Sequence, residues 1–188
     1  MIKRKPNLPN IKEKINIICE GDGDKLYLDK VLNFYNVKYK INVQPSNSIN
    51  LIVDELKKVL KINSLNEYYV FFDSDGDYQN RYNQIVKELK KEEIDYKGKI
   101  FFVNPLIEYL FLINKVDRHP TTFIKKEQYS PLIEKYFNIE NYEGTVKQYK
   151  DIGCQITKES FEKYINKVSN DFNVIPSSNI LDLIEKIK

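Results

Sequence analysis

The strongest constraint on the fold is an alternation: short runs rich in β-branched and aromatic residues take turns with segments whose apolar residues recur at helical spacing. Ile15-Asn16-Ile17-Ile18-Cys19 reads as a buried strand, and residues 24–35 carry Leu26, Tyr27, Val31, Leu32 and Phe34 with helical recurrence. A second strand is expected over Val37–Val43, and a helix follows from Asn50 to Ile62 after the turn-rich Pro45-Ser46-Asn47-Ser48. Tyr68–Phe72 is the clearest strand, with a helix over Tyr78–Glu92 behind it. Lys99–Val103 then leads through Asn104-Pro105 into a helix beginning near Leu106. Such alternation predicts an α/β fold with a mostly parallel, four-stranded, Rossmann-like sheet flanked by helices. Beyond Val116 no strand is expected, and Ser130–Phe137, Lys158–Val168 and Ser178–Lys188 read as helices. The expected organisation is a basic arm over residues 1–14, an α/β core over 15–116 and a helical extension over 117–188 packed on that core.

Acidic residues stand where three of these strands end: Cys19-Glu20-Gly21, Phe72-Asp73-Ser74-Asp75-Gly76-Asp77, and Asn104-Pro105-Leu106-Ile107-Glu108. In an open α/β sheet the carboxyl ends of parallel strands face one crevice, so Glu20 and the aspartates would meet there. Asp73 and Asp75 have i,i+2 spacing and would project to the same side of an extended chain. Clustered carboxylates repel, and raised pKa values, basic partners or a bound cation relieve them. Mg²⁺, or Mn²⁺ in its place, suits an oxygen-only set such as Glu20, Asp73, Asp75 and Asp77. A multi-histidine zinc site is excluded, because His119 is the only histidine.

Each residue also has a plainer reading. Glu20 could cap the next helix, the aspartates could form a solvated turn, and the helix dipole would stabilise Glu108 in a first turn without any metal. Lys25 either meets a phosphate or coats the first helix. The acidic turn imitates the start of a calcium loop, but Gln84 stands where that loop needs glutamate, and a strand precedes it. Tyr68, Tyr69 and Tyr109 are read as core or boundary residues rather than nucleotide-stacking rings. His119-Pro120-Thr121-Thr122 reads as a loop with no base function.

With 188 residues the chain supports one sizeable core, and 30 basic against 27 acidic residues leave a net charge of +3, too weak to prove a polyanionic partner. Cys19 and Cys154 support neither a disulfide framework nor a cysteine-based zinc site, which favours a reducing, cytoplasmic setting. The basic start lacks a signal-peptide core, and no apolar run approaches the roughly 20 residues that span a bilayer, so no membrane association is expected.

The combination of Ile17-Ile18-Cys19-Glu20-Gly21 before a helix and Phe71-Phe72-Asp73-Ser74-Asp75-Gly76-Asp77 resembles the glutamate and DxD motifs of a Toprim domain. The order of features, with Asn104-Pro105-Leu106-Ile107-Glu108-Tyr109 next and Ile175-Pro176-Ser177-Ser178 before a terminal helix, is similar to the RloB-like branch. Where that branch usually carries a Lys-Thr-Glu-type sequence after the Glu-Gly turn, this chain has Asp22-Gly23-Asp24-Lys25. The resemblance implies Mg²⁺-dependent phosphodiester chemistry on DNA or RNA, with cleavage foremost, and an association with defence or restriction loci. On that reading Glu20, Asp73, Asp75 and Glu108 are the catalytic candidates, with Asp77 an auxiliary ligand and Lys25 a substrate contact. Two other readings stay open: a non-catalytic module that binds nucleic acid or a partner protein encoded nearby, and nucleotidyl or phosphoryl transfer to a small nucleotide.

Overall fold

The computed structural model describes residues 14–35, 37, 40–62, 67–116 and 122–188. Most of the expected basic arm, the start of the expected second strand at 38–39, and His119 lie outside the described residues.

The core is a five-stranded sheet in the order β2-β1-β3-β4-β5. Its strands are β1 (Lys14–Cys19), β2 (Lys40–Pro45), β3 (Glu67–Asp73), β4 (Ile100–Asn104) and β5 (Ser177–Ser178). The first four are mutually parallel and β5 runs antiparallel to β4. The helices are α1 (Asp22–Leu32), α2 (Ile52–Ile62), α3 (Tyr78–Lys91), α4 (Ile107–Leu112), α5 (Lys126–Phe137), α6 (Val146–Gln155), α7 (Lys158–Ile165) and α8 (Ile180–Ile187).

Alternation along the strands divides the interior in two. Ile15, Ile17, Cys19, Tyr69, Phe71, Phe101 and Val103 face a core closed by α1 and α4 to α8. Ile18, Tyr68, Val70, Phe72 and Phe102 face the other side, covered by Ile52, Val53 and Leu56 of α2 and Ile85 and Leu89 of α3. With both faces covered, the central strands are mostly apolar, as buried parallel strands are; the exception is buried Asn16 of β1, whose Oδ1 accepts from Asn42 Nδ2 at 3.2 Å. The C-terminal helices share the first core: Tyr129 and Ile133 of α5, Ile152 of α6, Phe161 of α7 and Leu183 of α8 are fully buried there.

Two elements differ from the sequence expectation. The sheet has a fifth strand because Ser177 and Ser178 cap the β4 edge; Ser178 Oγ donates to the Phe102 carbonyl at 2.6 Å, and Phe102 N–H donates to Asn179 Oδ1 at 2.8 Å. Two serines carry no strand signature of their own, so only tertiary pairing makes them a strand. Helix α6 was not expected, since Ile152 is its one buried residue and the segment carries Gly153 inside it. It begins with a capping box in which Thr145 Oγ1 accepts from Gln148 N–H at 3.3 Å.

Among the described residues no helix is long and apolar enough to cross a membrane.

Candidate functional site

The parallel topology brings the ends of β1, β3 and β4 together, and an open cavity of about 360 Å³ lies over them, walled by Glu20, Gly21, Asp24, Asp73, Asp75 and Tyr149. Gly21 ends the strand segment and starts α1; its N–H donates to Asp24 Oδ2 at 2.9 Å, which turns the Asp24 carboxyl inward. Asp24 is only 2% exposed. At the end of β3, Asp73 Oδ2 accepts from Ile107 N–H at 3.2 Å and so joins β3 to the start of α4.

The turn after Asp73 is anchored to the end of β4. Ser74 N–H donates to the Val103 carbonyl at 2.9 Å, Asp75 N–H to the Pro105 carbonyl at 2.9 Å, and Ser74 Oγ bonds Asn104 Oδ1 at 2.5 Å. Asp75 and Gly76 have φ of +50° and +76°, left-handed values that reverse the chain. The expected extended pairing of Asp73 with Asp75 is therefore corrected: Asp73 points into the sheet edge and Asp75 turns outward. Asp75 and Glu20 instead share a cation. Arg81 of α3 donates Nη1–H to Glu20 Oε2 at 2.7 Å and to the Asp73 carbonyl at 2.8 Å, while its Nη2–H meets Asp75 Oδ2.

Asp24 and Asp73 lie within hydrogen-bonding reach of each other, yet Asp24 Oδ1 and Asp73 Oδ1 are buried with no donor facing them. Two ionised carboxylates cannot satisfy one another, whereas a proton on one of them makes a hydrogen bond to the other. Burial pushes Asp24 up to about 7, with Glu20 and Glu108 adding to the shift and the contacts from Asp73 and Gly21 opposing it. Asp73 lies well above the usual carboxylate range, first through burial and then through the charge of Asp24. Burial also raises Glu20, against the pull of Arg81. The pair thus retains a proton near neutrality where a cation would otherwise relieve it.

The remaining candidates lie apart from the Asp24–Asp73 pair. Asp77 accepts from Asn80 Nδ2 at 2.9 Å at the exposed start of α3, and Lys25 pairs with Asp29 at 2.5 Å along α1. Neither lines the cavity. Glu108 is 3% exposed and accepts from Tyr142 Oη at 2.9 Å and Tyr149 Oη at 3.3 Å. It anchors α6 beneath the cavity, and Tyr149 is its link to the cavity wall. Glu108→Ala would remove the acceptor that Tyr142 and Tyr149 share and is expected to destabilise the fold by about 1–3 kcal/mol, whereas Glu108→Gln, which keeps an acceptor, loses less; urea titration of both variants checks this.

Close packing holds α1 against α6. A Cβ at Gly23 would sit 2.8 Å from Tyr149 Cζ and 3.1 Å from Ile107 Cγ2. Gly23→Ala, which helix propensity alone would favour, is expected instead to destabilise by about 1–3 kcal/mol and to displace Tyr149; thermal unfolding measures the first and ring-proton shifts the second.

Asp24, Arg81, Tyr142 and Tyr149 were not anticipated as parts of the site. Asp24 carried a signal, four residues after Glu20 at a helix start; Arg81 and the tyrosines reach the site only through tertiary packing. Among the described residues no three ligating side chains are already gathered as a metal-holding group. The donor set still fits a hard cation that keeps most of its waters, because such an ion needs only one or two carboxylates and Asp24 and Asp73 each offer a free oxygen. The sequence matches no protein-family model, and comparison with curated proteins and with solved structures found no match.

Proposed function

We propose that this chain is a Toprim-type phosphodiesterase that hydrolyses DNA or RNA with Mg²⁺, or with Mn²⁺ in its place. The observation that carries the reading is the pair of buried carboxyls on Asp24 and Asp73, whose Oδ1 atoms face no donor except a proton held between them, set at the carboxyl edge of a parallel sheet beside Glu20. Such a pair holds a proton in the apo fold, and a cation can take that proton's place. The strand-end positions of Glu20 and Asp73 and the mostly parallel sheet support the Toprim reading.

In this account Asp24 and Asp73 would hold the ion, and Glu20 would add a third carboxylate as ligand or proton acceptor. Bound Mg²⁺ would supply charge stabilisation at the phosphoryl oxygens and a more acidic water. Gly21 N–H fixes the Asp24 carboxyl, and Asp73 keeps its orientation by accepting from Ile107 N–H. Glu108 orients Tyr149 at the wall through its hydroxyl contact. A defence or restriction setting remains part of this proposal on resemblance alone.

The pairing of Arg81 with both Glu20 and Asp75 favours a second reading, a non-catalytic module whose acidic edge is already compensated. Purified protein incubated with single- and double-stranded DNA and RNA, in Mg²⁺, Mn²⁺ or EDTA, separates the two. Metal-dependent cleavage that disappears in Asp73→Asn is expected; nucleic-acid binding without any metal-dependent product would favour the module.

A further inference from the structure

We infer that Arg81 is a displaceable internal counter-ion, which a divalent cation must drive from Glu20 when it enters the acidic cavity. The inference concerns regulation of the proposed metal site and rests on that reading.

Arg81 comes from α3, whereas the carboxylates it touches come from the end of β1 and the turn after β3. One guanidinium therefore ties together two separate acidic segments, through Glu20 Oε2, Asp75 Oδ2 and the Asp73 carbonyl. The fork geometry of arginine suits such a bridge, since a lysine would offer a single point of charge. The bridge is also accessible: the side chains of Arg81 and Glu20 are 21% and 22% exposed, so water can take over their hydrogen bonds when they part. Partly exposed ion pairs exchange at small free-energy cost, unlike sealed ones.

Charge is unevenly distributed within the site. Glu20 and Asp75 share Arg81, while the free oxygens of Asp24 and Asp73 have no donor. A divalent cation attracted to those oxygens would lie beside Glu20, for which it competes with the guanidinium, and it would repel Arg81 directly. Ion binding and the Arg81 bridge are thus coupled with opposite sign, and the coupling is reciprocal. Arg81 holds the apo site together, sets a threshold for metal entry and lets Glu20 change partners.

Calorimetric titration of Mn²⁺ into the wild-type chain and Arg81→Met, each checked by circular dichroism, tests this. Arg81→Met is expected to bind Mn²⁺ about tenfold more tightly, within the roughly 5–150-fold span of site-to-site couplings. Equal or weaker binding in the folded variant would overturn the counter-ion role while leaving the metal site standing. Absence of binding in both proteins would remove the metal reading and this inference together. A second observation uses the native protein: the Arg81 Nε–H resonance, assigned by its loss in Arg81→Lys, is expected to shift on Mg²⁺ addition in step with ion binding. A resonance that stays unmoved while Mg²⁺ binds would overturn the exchange even if Arg81→Met failed to fold.

Discussion

Asp73→Asn is expected to abolish metal-dependent cleavage, lowering the rate by at least about a hundredfold, while the protein remains folded. Asparagine keeps an acceptor for Ile107 N–H, so the junction between β3 and α4 survives the change. What it removes is the ionisable carboxyl next to Asp24, and with it one of the two buried oxygens that would hold the ion. Losing an ion that stabilises phosphoryl charge removes several kcal/mol of transition-state stabilisation, with each ~1.4 kcal/mol a factor of ten. A gel assay on labelled nucleic acid, with circular dichroism as the control for folding, reads the effect. Retained cleavage by folded Asp73→Asn would remove Asp73 from the chemistry.

The second large effect is a pH dependence that runs opposite to ordinary acid denaturation. Asp24 moves from an ordinary value of 3.8 to about 7 on folding, because burial penalises its charge and Glu20 and Glu108 add to that, against the opposing hydrogen bonds from Asp73 and Gly21. The folded chain then binds more protons than the unfolded one between those values, so stability falls as pH rises through that window and levels off above it. The loss from pH 4 to pH 8 is expected to be on the order of a few kcal/mol, at about 1.4 kcal/mol per pKa unit. Asp24→Asn should make the profile shallower, leaving the part that buried Asp73 and Glu20 contribute, and raise stability at pH 8. In wild type at pH 8, millimolar Mn²⁺ should restore much of the loss by binding the native state, and in Asp24→Asn it should not. Urea melts at the two pH values, with and without Mn²⁺, check both statements. A wild-type profile no steeper than that of the variant would mean that Asp24 is ionised at no cost.

These two residues also show how far the sequence was legible. The four parallel strands were readable because apolar and β-branched runs mark buried strands, and Glu20 and Asp73 because each follows such a run. The second strand, expected over Val37–Val43, runs on to Pro45, since its end follows the register against β1, where Cys19 pairs with Pro45. Asp75 reaches the cavity wall through a left-handed turn rather than along an extended chain, so its spacing from Asp73 did not fix where its carboxylate lies. Asp24 was visible as an acid near Glu20, but its importance comes from burial, which no local pattern records. Arg81 is 61 residues from Glu20 along the chain and meets it only because α3 packs over the same sheet edge. The site therefore combines locally signalled acids with partners that only the assembled sheet supplies.

The most direct test of the central claim is calorimetric titration of Mg²⁺ and Mn²⁺ into the wild-type chain and the double variant Asp24→Asn/Asp73→Asn, both verified as folded. Saturable binding to wild type, lost in the double variant, is the expected result. Equal binding to both, or none to wild type, would contradict it.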